Sequence, residues 1–328
     1  MADLTETYLR DQLTTRRQKL ELAVVNGKEA AGLRQLLDDV DAALQRMDAG
    51  SYGLCESCHE SIEKDRLLAD PLVRYCLDHL TAAEQRALEA DLEMAARIQQ
   101  ELLPKRNLRF AGWETAYHYA PLGPVSGDYC DLVVHENESD DLYFALGDAT
   151  GKGVAASMLM AQLHAIFRTL IGSGLPVPAL VARASRIFCE STMSSLFATL
   201  VCGRAGSAGD IEICNAGHCA ALLWQNGQVS RIAASGVPLG MFCEGEYVSE
   251  TLPFTPGDTL LLYTDGISEA RAANQEEYGE RRLAEVLAGS PASSLPALIQ
   301  VSLENLKAFR GGVPLHDDLT LLAIRRSR

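Results

Sequence analysis

The chain has 328 residues, 47% of them hydrophobic, and a formal net charge of −15 at pH 7. That length allows two or three domains, and the apolar fraction allows a large buried core. The acidic excess argues against nonspecific binding of nucleic acids, which requires a basic face. No apolar run is long enough to span a bilayer and the polar N-terminus lacks a signal-peptide core, so we expect a cytoplasmic protein.

The first 50 residues have the pattern of two helices. Leucine, valine and alanine recur at steps of three and four over residues 3–49, where glycine and proline are rare. Asn26-Gly27 interrupts this pattern, and Asn-Gly is a turn signal. We therefore predict an antiparallel helical hairpin over residues 1–50.

A short, turn-rich segment follows, and its cysteines have the spacing of a metal site. Cys55 and Cys58 form one C-x-x-C knuckle, and Cys76 and His79 form a second knuckle after seventeen intervening residues. This separation is typical of tetrahedral zinc sites. Three thiolates and one imidazole fill four coordination positions, so the site would be structural. His59 is the alternative fourth ligand, but it lacks the spacing that His79 has.

This segment resembles the zinc finger of the DksA/TraR family, and we place it at residues 51–80. The resemblance rests on the run ALQRMDAGSYGLCESCHESIEKDRLLADPLVRYCLDH and extends to the helical hairpin before it. The family usually has a fourth cysteine where this chain has His79. DksA proteins insert a long hairpin with an acidic tip into the RNA polymerase channel, whereas the tip here, VVNGKEA, is short and has no aspartate pair. We expect a structural module with a regulatory or dimerising role.

Residues 81–104 predict a linker helix. The run from Thr81 to Leu103 contains neither proline nor glycine, and Pro104 ends it. Apolar side chains recur along one face at Leu88, Leu92, Ala95, Ile98 and Leu102. Such a face packs either on its own domain or on the same helix of a second copy in a homodimer, and the pattern leaves both open.

From residue 105 onward, short β-type runs recur, among them DLYFALGD, FATLVCGRA and DTLLLYTDGI. Asn226-Gly227 between two such runs is a hairpin signal. Helical stretches are interspersed at residues 154–171, 178–193, 280–288 and 294–308. Strands outnumber helices and several are joined by hairpins, so residues 105–328 predict an α+β domain with largely antiparallel sheets.

Six cysteines are scattered through this part of the chain: Cys130, Cys189, Cys202, Cys214, Cys219 and Cys243. Most structural disulfides occur in oxidising compartments, and the chain is expected to remain in the cytosol. We therefore interpret all six as small, buried apolar side chains.

The stretch FALGDATGKG places Asp148 between an apolar run and a glycine-rich loop. A nucleotide-binding P-loop requires G-x-x-x-x-G-K and then Ser or Thr, but only three residues separate Gly147 from Gly151, and Gly153 replaces the hydroxyl. The alternatives are a metal ligand at a strand end and a cap on the next helix.

Further carboxylates at the mouths of β-type runs favour the metal ligand: Asp128 in VSGDYCDL, Asp265 in LLLYTDGISEA, and Asp317-Asp318 in HDDLTLLAI. Carboxylate oxygens suit magnesium and manganese. Two such ions lower the pKa of a shared water and neutralise phosphate charge. The pattern therefore indicates hydrolysis assisted by two metal ions.

An ordered set of motifs resembles the PPM-type metal-dependent protein serine/threonine phosphatases of the SpoIIE/RsbU subgroup. The motifs are VSGDYCDL, GDATGKGVAASMLMA, NAGH, GVPLGM, LLLYTDGISEA and DDLTLL, and the match covers about residues 95–328. The resemblance implies an αββα sandwich of two stacked sheets flanked by helices, with two manganese or magnesium ions at one edge of the sheets.

The resemblance also implies roles for the carboxylates. Asp148 would bridge both ions, and the carbonyl of Ala149 would be a further ligand of one of them. Asp265 and Asp317 would complete the other site. The nucleophile would be a water activated by the two ions, so no side chain of the protein is needed as nucleophile.

Other polar residues of these motifs have less defined roles. Asp128 would bind a metal ion or a metal-held water. Asp318 is a further candidate residue of the metal site, where it would contact the residues that bind the ions directly. Asp131 either orients water or faces solvent. His218 supports a turn near the site or acts as an acid toward the leaving group. Lys152 either meets a phosphate or is a solvated loop residue.

Relatives in this subgroup remove phosphate from serine or threonine of anti-sigma factor antagonists. The resemblance implies such a substrate here, with the zinc-finger module as sensor and residues 81–104 as coupling helix. In relatives, the helices after the GDATGKG-type motif shift to build or break the metal site. One alternative is a zinc-finger transcription regulator that binds RNA polymerase and has a non-catalytic phosphatase-like scaffold. Another is oxidant sensing by the zinc thiolates.

Overall fold

The structure is a computed structural model that describes residues 4–25, 30–135, 140–193, 195–290 and 294–327. The chain divides into two compact units, Met1–Asp91 and Leu92–Arg328. The turn predicted at Asn26-Gly27 lies outside the described residues.

Two helices begin the first unit: α1 (Leu4–Val25) and α2 (Ala30–Asp48). Their direction is visible in two ion pairs, which join Arg10 to Asp48 and Arg17 to Asp41, each at 2.7 Å. Because the partner numbers fall on α2 as they rise on α1, the helices are antiparallel. The predicted helical hairpin is confirmed.

The segment after the hairpin has little regular structure. It contains the short helix α3 (Lys64–Ala69) and a 3-10 turn at Leu77–His79. Cys55 and Cys76 are buried in the same apolar core as residues of α1 and α2. This core is small, because the first unit is short. In a small unit of this kind, a bound metal contributes a large part of the folding free energy.

The linker is one continuous helix, α4 (Ala82–Leu102), and the division between the two units falls within it. Thr81 and Glu84 form a reciprocal capping box at its start. The backbone N–H of Glu84 donates to Thr81 Oγ1 at 3.2 Å, and that of Thr81 donates to Glu84 Oε2 at 2.9 Å. These contacts satisfy two N–H groups that a helix start leaves unpaired.

The second unit contains two antiparallel sheets. In spatial order, the six-stranded sheet consists of β1 (Asn107–Phe110), β2 (Trp113–Ala120), β11 (Leu319–Arg326), β10 (Thr259–Tyr263), β7 (Ala221–Gln225) and β8 (Gln228–Ile232). The five-stranded sheet consists of β3 (Asp128–His135), β4 (Asp141–Ala149), β5 (Ala198–Ala205), β6 (Asp210–Ala216) and β9 (Glu250–Pro253).

Helices cover the outer face of each sheet. The five-stranded sheet packs against α5 (Gly153–Ile171) and α6 (Val177–Ser191). The six-stranded sheet packs against α7 (Asp265–Ser268), α8 (Gly279–Gly289) and α9 (Leu295–Arg310). Side chains of both sheets share a third core between them. The predicted αββα sandwich is confirmed.

Strand β4 shows why the sequence folds into these layers. Leu142, Phe144 and Leu146 point into the core between the sheets, whereas Tyr143 and Ala145 point to the core under α5 and α6. Successive side chains of a strand face opposite sides, and here both sides are buried. An almost continuous apolar run is therefore the expected pattern for β4.

Of the described residues, α5 alone combines the length and apolar composition of a possible membrane-spanning helix. The core helix of a globular domain has the same two properties. Here α5 buries residues including Met160, Leu163 and Phe167 in the core on the five-stranded sheet.

The expectation for the scattered cysteines is wrong at two positions. Cys189 and Cys243 are joined by a disulfide, and Cys243 is exposed. Neither is therefore a small buried thiol. Cys130, Cys202 and Cys214 are buried free thiols as expected, and Cys219 is a half-buried free thiol. Sequence spacing gave no signal for the disulfide because its cysteines lie 54 positions apart.

Candidate metal sites

The strands bring four carboxylate positions to one end of the sandwich. Asp128 begins β3 and is the register partner of Asp148 near the end of β4. On the other sheet, Asp265 follows the end of β10, and Asp318 directly precedes β11. Strands β10 and β11 pair antiparallel with Tyr263 opposite Leu321, so the end of one lies beside the start of the other.

Asp148 is the member of this group on which the charges of the other acids act most clearly. Its pKa is raised to about 7, first by burial and then by the negative charges of Asp265, Asp317 and Asp318. Burial and the charge of Asp317 also raise the pKa of Asp265. Like charges and a low dielectric both disfavour ionised carboxylates, so the negative charge of this cluster exceeds the positive charge around it.

Asp128 is 2% exposed and is fixed by two hydroxyl groups from the other sheet. Thr264 Oγ1 donates to Asp128 Oδ2 at 3.0 Å, and Thr320 Oγ1 donates to the same oxygen. Burial, followed by the charge of Asp148, raises the pKa of Asp128 well above its usual range. The carboxylate is thus held in place across the two sheets and faces a second acid.

Asp318 organises the loop before β3. Its Oδ1 accepts from the backbone N–H of Leu122 at 2.6 Å, and its Oδ2 accepts from that of Gly127 at 2.9 Å. Both oxygens are therefore engaged by the backbone. Asp318 fixes the approach of the chain to Asp128.

Asp317 is paired with a lysine that the sequence left ambiguous. Lys152 Nζ lies 2.7 Å from Asp317 Oδ2 and also donates to the backbone carbonyl of His316 at 2.7 Å. Both side chains line a cavity of about 440 Å³ with Asp265 and Arg271. Lys152 supplies a positive charge at this edge of the acidic group.

Two glycines permit the close packing of these loops. A Cβ at Gly266, next to Asp265, would lie 1.9 Å from the carbonyl oxygen of Asp318. A Cβ at Gly127 would lie 3.1 Å from the carbonyl oxygen of Ala149. Real Cβ atoms do not approach backbone oxygens at the first distance, so glycine is required at position 266.

The donor set fits hard divalent cations such as magnesium or manganese, which prefer carboxylate and carbonyl oxygens. The raised pKa values show that added positive charge would stabilise the ionised group. Among the described residues, these carboxylates do not form a group of three whose ligand atoms all lie within 4.8 Å of one another. The acidic group is thus more open than the cysteine cluster of the first unit.

His218 lies behind the acidic group and is 7% exposed. Its Nδ1 lies 2.7 Å from Thr199 Oγ1, and its backbone N–H donates to Asn215 Oδ1 at 2.9 Å. Burial lowers its pKa to about 4, which outweighs the opposite effect of the Tyr263 backbone. The buried, neutral imidazole has the geometry expected of a residue that supports the NAGH turn.

The interpretation of Asp131 as a water-orienting or solvent-facing residue is wrong. Its side chain is 1% exposed and forms a two-point ion pair with Arg168 of α5, at 2.7 and 2.8 Å. Tyr129 also donates to it, at 3.3 Å. Asp131 lies three positions along β3 from Asp128, so its side chain points to the opposite face of the sheet.

Sequence reasoning missed four side chains that position these acids: Thr264, Thr320, Gln99 and Arg168. Each threonine lies within a quoted motif, in TDG and DDLT, and for Thr320 the alternation of β11 offered a signal for its inward direction. Gln99 Nε2 donates to the Ser126 carbonyl at 2.7 Å, and the Ser126 N–H donates to Gln99 Oε1 at 3.0 Å. No local pattern distinguishes Gln99 from the other polar residues of α4.

In the first unit, the four predicted ligands converge. The ligand atoms of Cys55, Cys58, Cys76 and His79 all lie within 4.8 Å of one another. Cys76 Sγ lies 3.3 Å from His79 Nδ1 and 3.8 Å from Cys58 Sγ. His59 is exposed, has a positive φ of 61° and is outside this group. This arrangement has the ligand number and type of a structural zinc site.

Comparison with protein families identifies both parts of the chain. The family model of stage II sporulation protein E (SpoIIE) matches residues 138–327, and the chain belongs to this family of PP2C-type phosphatases. The model of the prokaryotic DksA/TraR C4-type zinc finger matches residues 50–78, which ends one residue before His79.

Individual relatives agree with this assignment. The chain is 27% identical over 266 residues to protein IcfG of Synechocystis sp., covering 72% of this chain and 42% of that protein. It is 25% identical over 247 residues to phosphoserine phosphatase RsbU of Bacillus subtilis, covering 74% of this chain and 72% of RsbU. The chain thus spans less than half the length of IcfG.

Among solved structures, the SiaA-PP2C domain of Pseudomonas aeruginosa has a similar fold. The TM-score is 0.65 at 22% identity, over 75% of this chain and 99% of that domain. The likeness concerns the two-sheet sandwich and its flanking helices.

Proposed function

We propose that the chain is a metal-dependent protein phosphatase that hydrolyses phosphoserine or phosphothreonine on a partner protein. The observation that carries this proposal is the convergence of strand-end carboxylates around Asp148, whose pKa is raised to about 7 by burial and by neighbouring acids. Such a site has the composition that binds divalent metals. Kinship with the phosphoserine phosphatase RsbU supports the same reaction.

Two manganese or magnesium ions would polarise a water for attack on phosphorus and neutralise the charge of the phosphate. Asp148, whose pKa is raised by burial and by three neighbouring aspartates, would contribute to both ions. Asp265, Asp317 and the carbonyl of Ala149 would complete the ligands. Asp128, fixed by two threonine hydroxyls, would contribute a further oxygen or hold a water. Asp318 would hold the loop that surrounds them.

The phosphate of the substrate would enter through the cavity that Lys152 and Arg271 line. Lys152 is bound to Asp317 here, and a divalent cation at Asp317 would compete with it. The freed ammonium would then be available to a phosphate oxygen. Arg271, which donates to Glu277 at 2.9 Å, offers a second cation at the same mouth.

We also propose four functional segments: a hairpin (1–50), a zinc finger (51–80), a coupling helix (81–104) and a phosphatase domain (105–328). The zinc finger would hold one zinc ion through Cys55, Cys58, Cys76 and His79. The paired hydrogen bonds of Gln99 support the coupling role, because they fix α4 to Ser126, whose Oγ accepts the N–H of Asp128 at 3.0 Å. Deletion of residues 1–80 with unchanged activity and manganese affinity would contradict the coupling.

A homodimer, through α4 or through the helical hairpin, is part of this proposal, and the exposed side chains of α4 favour the first surface. Leu88, Met94 and Ile98 are exposed large apolar side chains on that helix. Pairing with a second copy would remove them from water. The substrate class that this family membership favours is a phosphorylated anti-sigma factor antagonist in the cytoplasm.

The deciding experiment measures phosphate release from p-nitrophenyl phosphate with and without manganese, for the wild type and Asp148→Asn. We expect manganese-dependent turnover that the substitution abolishes. If neither protein turns over, the assay is repeated on residues 81–328. Turnover in that fragment would identify an enzyme held inactive by its N-terminal module. No turnover there would instead favour a non-catalytic scaffold in a zinc-finger regulator.

A further inference from the structure

A disulfide joins two surface elements of the second unit. Cys189 lies in the last turn of α6, and Cys243 lies in the segment that follows Gly240. Their Cα atoms are 5.3 Å apart, within the range that a disulfide bridges without movement of the backbone.

The other cysteines of this unit show that proximity alone does not produce such a bond here. Cys202 on β5 and Cys214 on β6 are direct cross-strand partners, yet both remain free thiols. Each is 1% exposed, and burial raises the pKa of Cys214 to about 11. By contrast, Cys243 is exposed and Cys189 is half-buried, so a dissolved oxidant or reductant reaches this pair.

The two elements are also held together without the disulfide. Ser185 of α6 is fully buried, and its Oγ accepts from the Gly240 backbone N–H at 3.2 Å and from the Tyr247 hydroxyl at 2.9 Å. Phe188 packs directly beneath Gly240, where a Cβ would lie 2.6 Å from its ring. Neither sulfur takes part in these contacts, so they are available to hold residues 240–247 on α6 when both cysteines are reduced. The bond can therefore open and close within one fold.

We propose that Cys189 and Cys243 form a reversible thiol–disulfide site that locks the end of α6 to residues 240–247. The oxidant is a low-molecular-weight disulfide of the glutathione class. The exposed thiolate of Cys243 attacks one sulfur of the oxidant, forms a mixed disulfide and releases one thiol. The thiolate of Cys189 then attacks the Cys243 sulfur and releases the second thiol. Two electrons and two protons pass from the protein to the two departing thiols.

The disulfide is connected through the backbone to the strands that carry the acidic group. Leu239 exchanges two backbone hydrogen bonds with Ala198, at 2.7 and 3.0 Å, and Ala198 is the register partner of Ala149 on β4. Cys243 is four positions from Leu239. Oxidation thus restrains α6 relative to the strand pair behind the acidic group. Any effect on activity rests on the proposed phosphatase function, whereas formation of the bond and its mechanical effect do not.

The test equilibrates the full-length, zinc-loaded protein in glutathione buffers of varied ratio of reduced to oxidised form. Free thiols are then alkylated, and tryptic peptides are analysed by mass spectrometry. We expect a disulfide-linked pair of peptides, residues 187–204 with residues 232–271, in oxidised buffer and its loss in reduced buffer. We also expect a higher Tm for the oxidised protein and slower amide exchange in α6.

Single variants separate this bond from other thiol chemistry. Cys189→Ser and Cys243→Ser should each abolish the linked peptides and the rise in Tm, whereas Cys219→Ser should retain both. The proposal is overturned if the linked peptides never appear, if they persist in excess dithiothreitol under native conditions, or if Cys189→Ser keeps the Tm shift. These readouts stand even if the protein proves to have no phosphatase activity.

Discussion

Asp128 and Asp148 face each other as register partners across β3 and β4, and the pKa of both carboxyl groups is raised, first by burial and then by the charge of Asp148 on Asp128 and of Asp265 on Asp148. Two acids at neighbouring positions of a buried sheet end weaken the fold unless a cation joins them. Thr264 and Thr320 hold Asp128 in this position through hydrogen bonds from the other sheet. The arrangement is therefore built for binding rather than for stability.

The first prediction is that Asp148→Asn stabilises the metal-free protein while it removes manganese-dependent hydrolysis. The amide has nearly the same shape as the carboxylate but eliminates a charge that burial and Asp265 disfavour. We expect a gain of about 1–2 kcal/mol in the free energy of unfolding. Urea denaturation at pH 8 in the presence of EDTA measures it.

Asp141→Asn is the matched control for this prediction, because Asp141 lies at the other end of the same strand. It is 5% exposed and bound to Arg204 at 3.2 Å. Its replacement should lower stability and keep manganese-dependent hydrolysis. If Asp148→Asn were less stable than the wild type in EDTA, electrostatic repulsion would not be the dominant effect at Asp148.

The second prediction concerns Asp131, which we assign to structure and not to metal binding. Asp131→Asn removes a buried charge from its two-point contact with Arg168, whose side chain is 42% exposed. Because water can still hydrate the charge of Arg168 after the pair is broken, we expect the free energy of unfolding to fall by about 2 kcal/mol. This is less than the cost of breaking a fully buried ion pair. The variant should bind manganese with wild-type affinity in calorimetry, and weaker binding would show that Asp131 contributes to the metal site. A double-mutant cycle with Arg168→Met measures the pair itself.

The helices and strands were largely predictable because periodicity and hairpin signals are local, whereas the stacking of two sheets into a sandwich was expected only from the family resemblance. The predicted helix at residues 178–193 corresponds to Val177–Ser191, whereas the four-residue helix α7 is too short to give a periodic signal. The acidic positions were visible because each follows or precedes an apolar run. The partners of Asp131 and Asp128 were not visible, since Arg168 and Thr320 are 37 and 192 positions distant. Such pairs depend on how the sheets stack.

The third prediction is that Gly266→Ala is severely destabilising. Its Cβ would lie 1.9 Å from the Asp318 carbonyl oxygen, so the backbone at the start of α7 must shift away from Asp318, which directly precedes β11. We expect the free energy of unfolding to fall by more than about 3 kcal/mol and the hydrolytic activity to be lost. Gly289→Ala is the control, because nothing lies within 4 Å of its Cβ position, and it should be neutral or slightly stabilising. Equal stability of the two variants in thermal unfolding would contradict the close approach at Gly266.

The fourth prediction distinguishes the two histidines near the cysteine cluster. His79→Ala removes a ligand atom and should weaken zinc binding by more than about 100-fold. His79→Cys, which supplies a fourth thiolate, should retain one zinc per chain. His59→Asn should also retain it, because His59 is exposed and asparagine tolerates the positive φ of 61°. Zinc content by atomic emission after dialysis against a weak chelator measures all three, and loss of zinc in His59→Asn alone would assign the fourth ligand to His59.

The fifth prediction is a loss of stability at acidic pH caused by His218. Burial lowers its pKa from 6.5 to about 4 in the folded protein, so between these values the unfolded chain binds a proton that the folded chain does not. The free energy of unfolding is therefore unaffected by the titration of His218 above pH 6.5 and decreases as the pH falls toward 4. At pH 5 the decrease is about 2 kcal/mol.

Urea denaturation of the wild type and His218→Gln at pH 7.5 and pH 5 measures this decrease. The variant should be less stable at pH 7.5 but lose about 2 kcal/mol less on acidification, whereas His316→Gln, at an exposed position, should follow the wild type. Identical acid dependence of wild type and His218→Gln would mean that His218 accepts a proton in the folded protein as readily as in the unfolded chain.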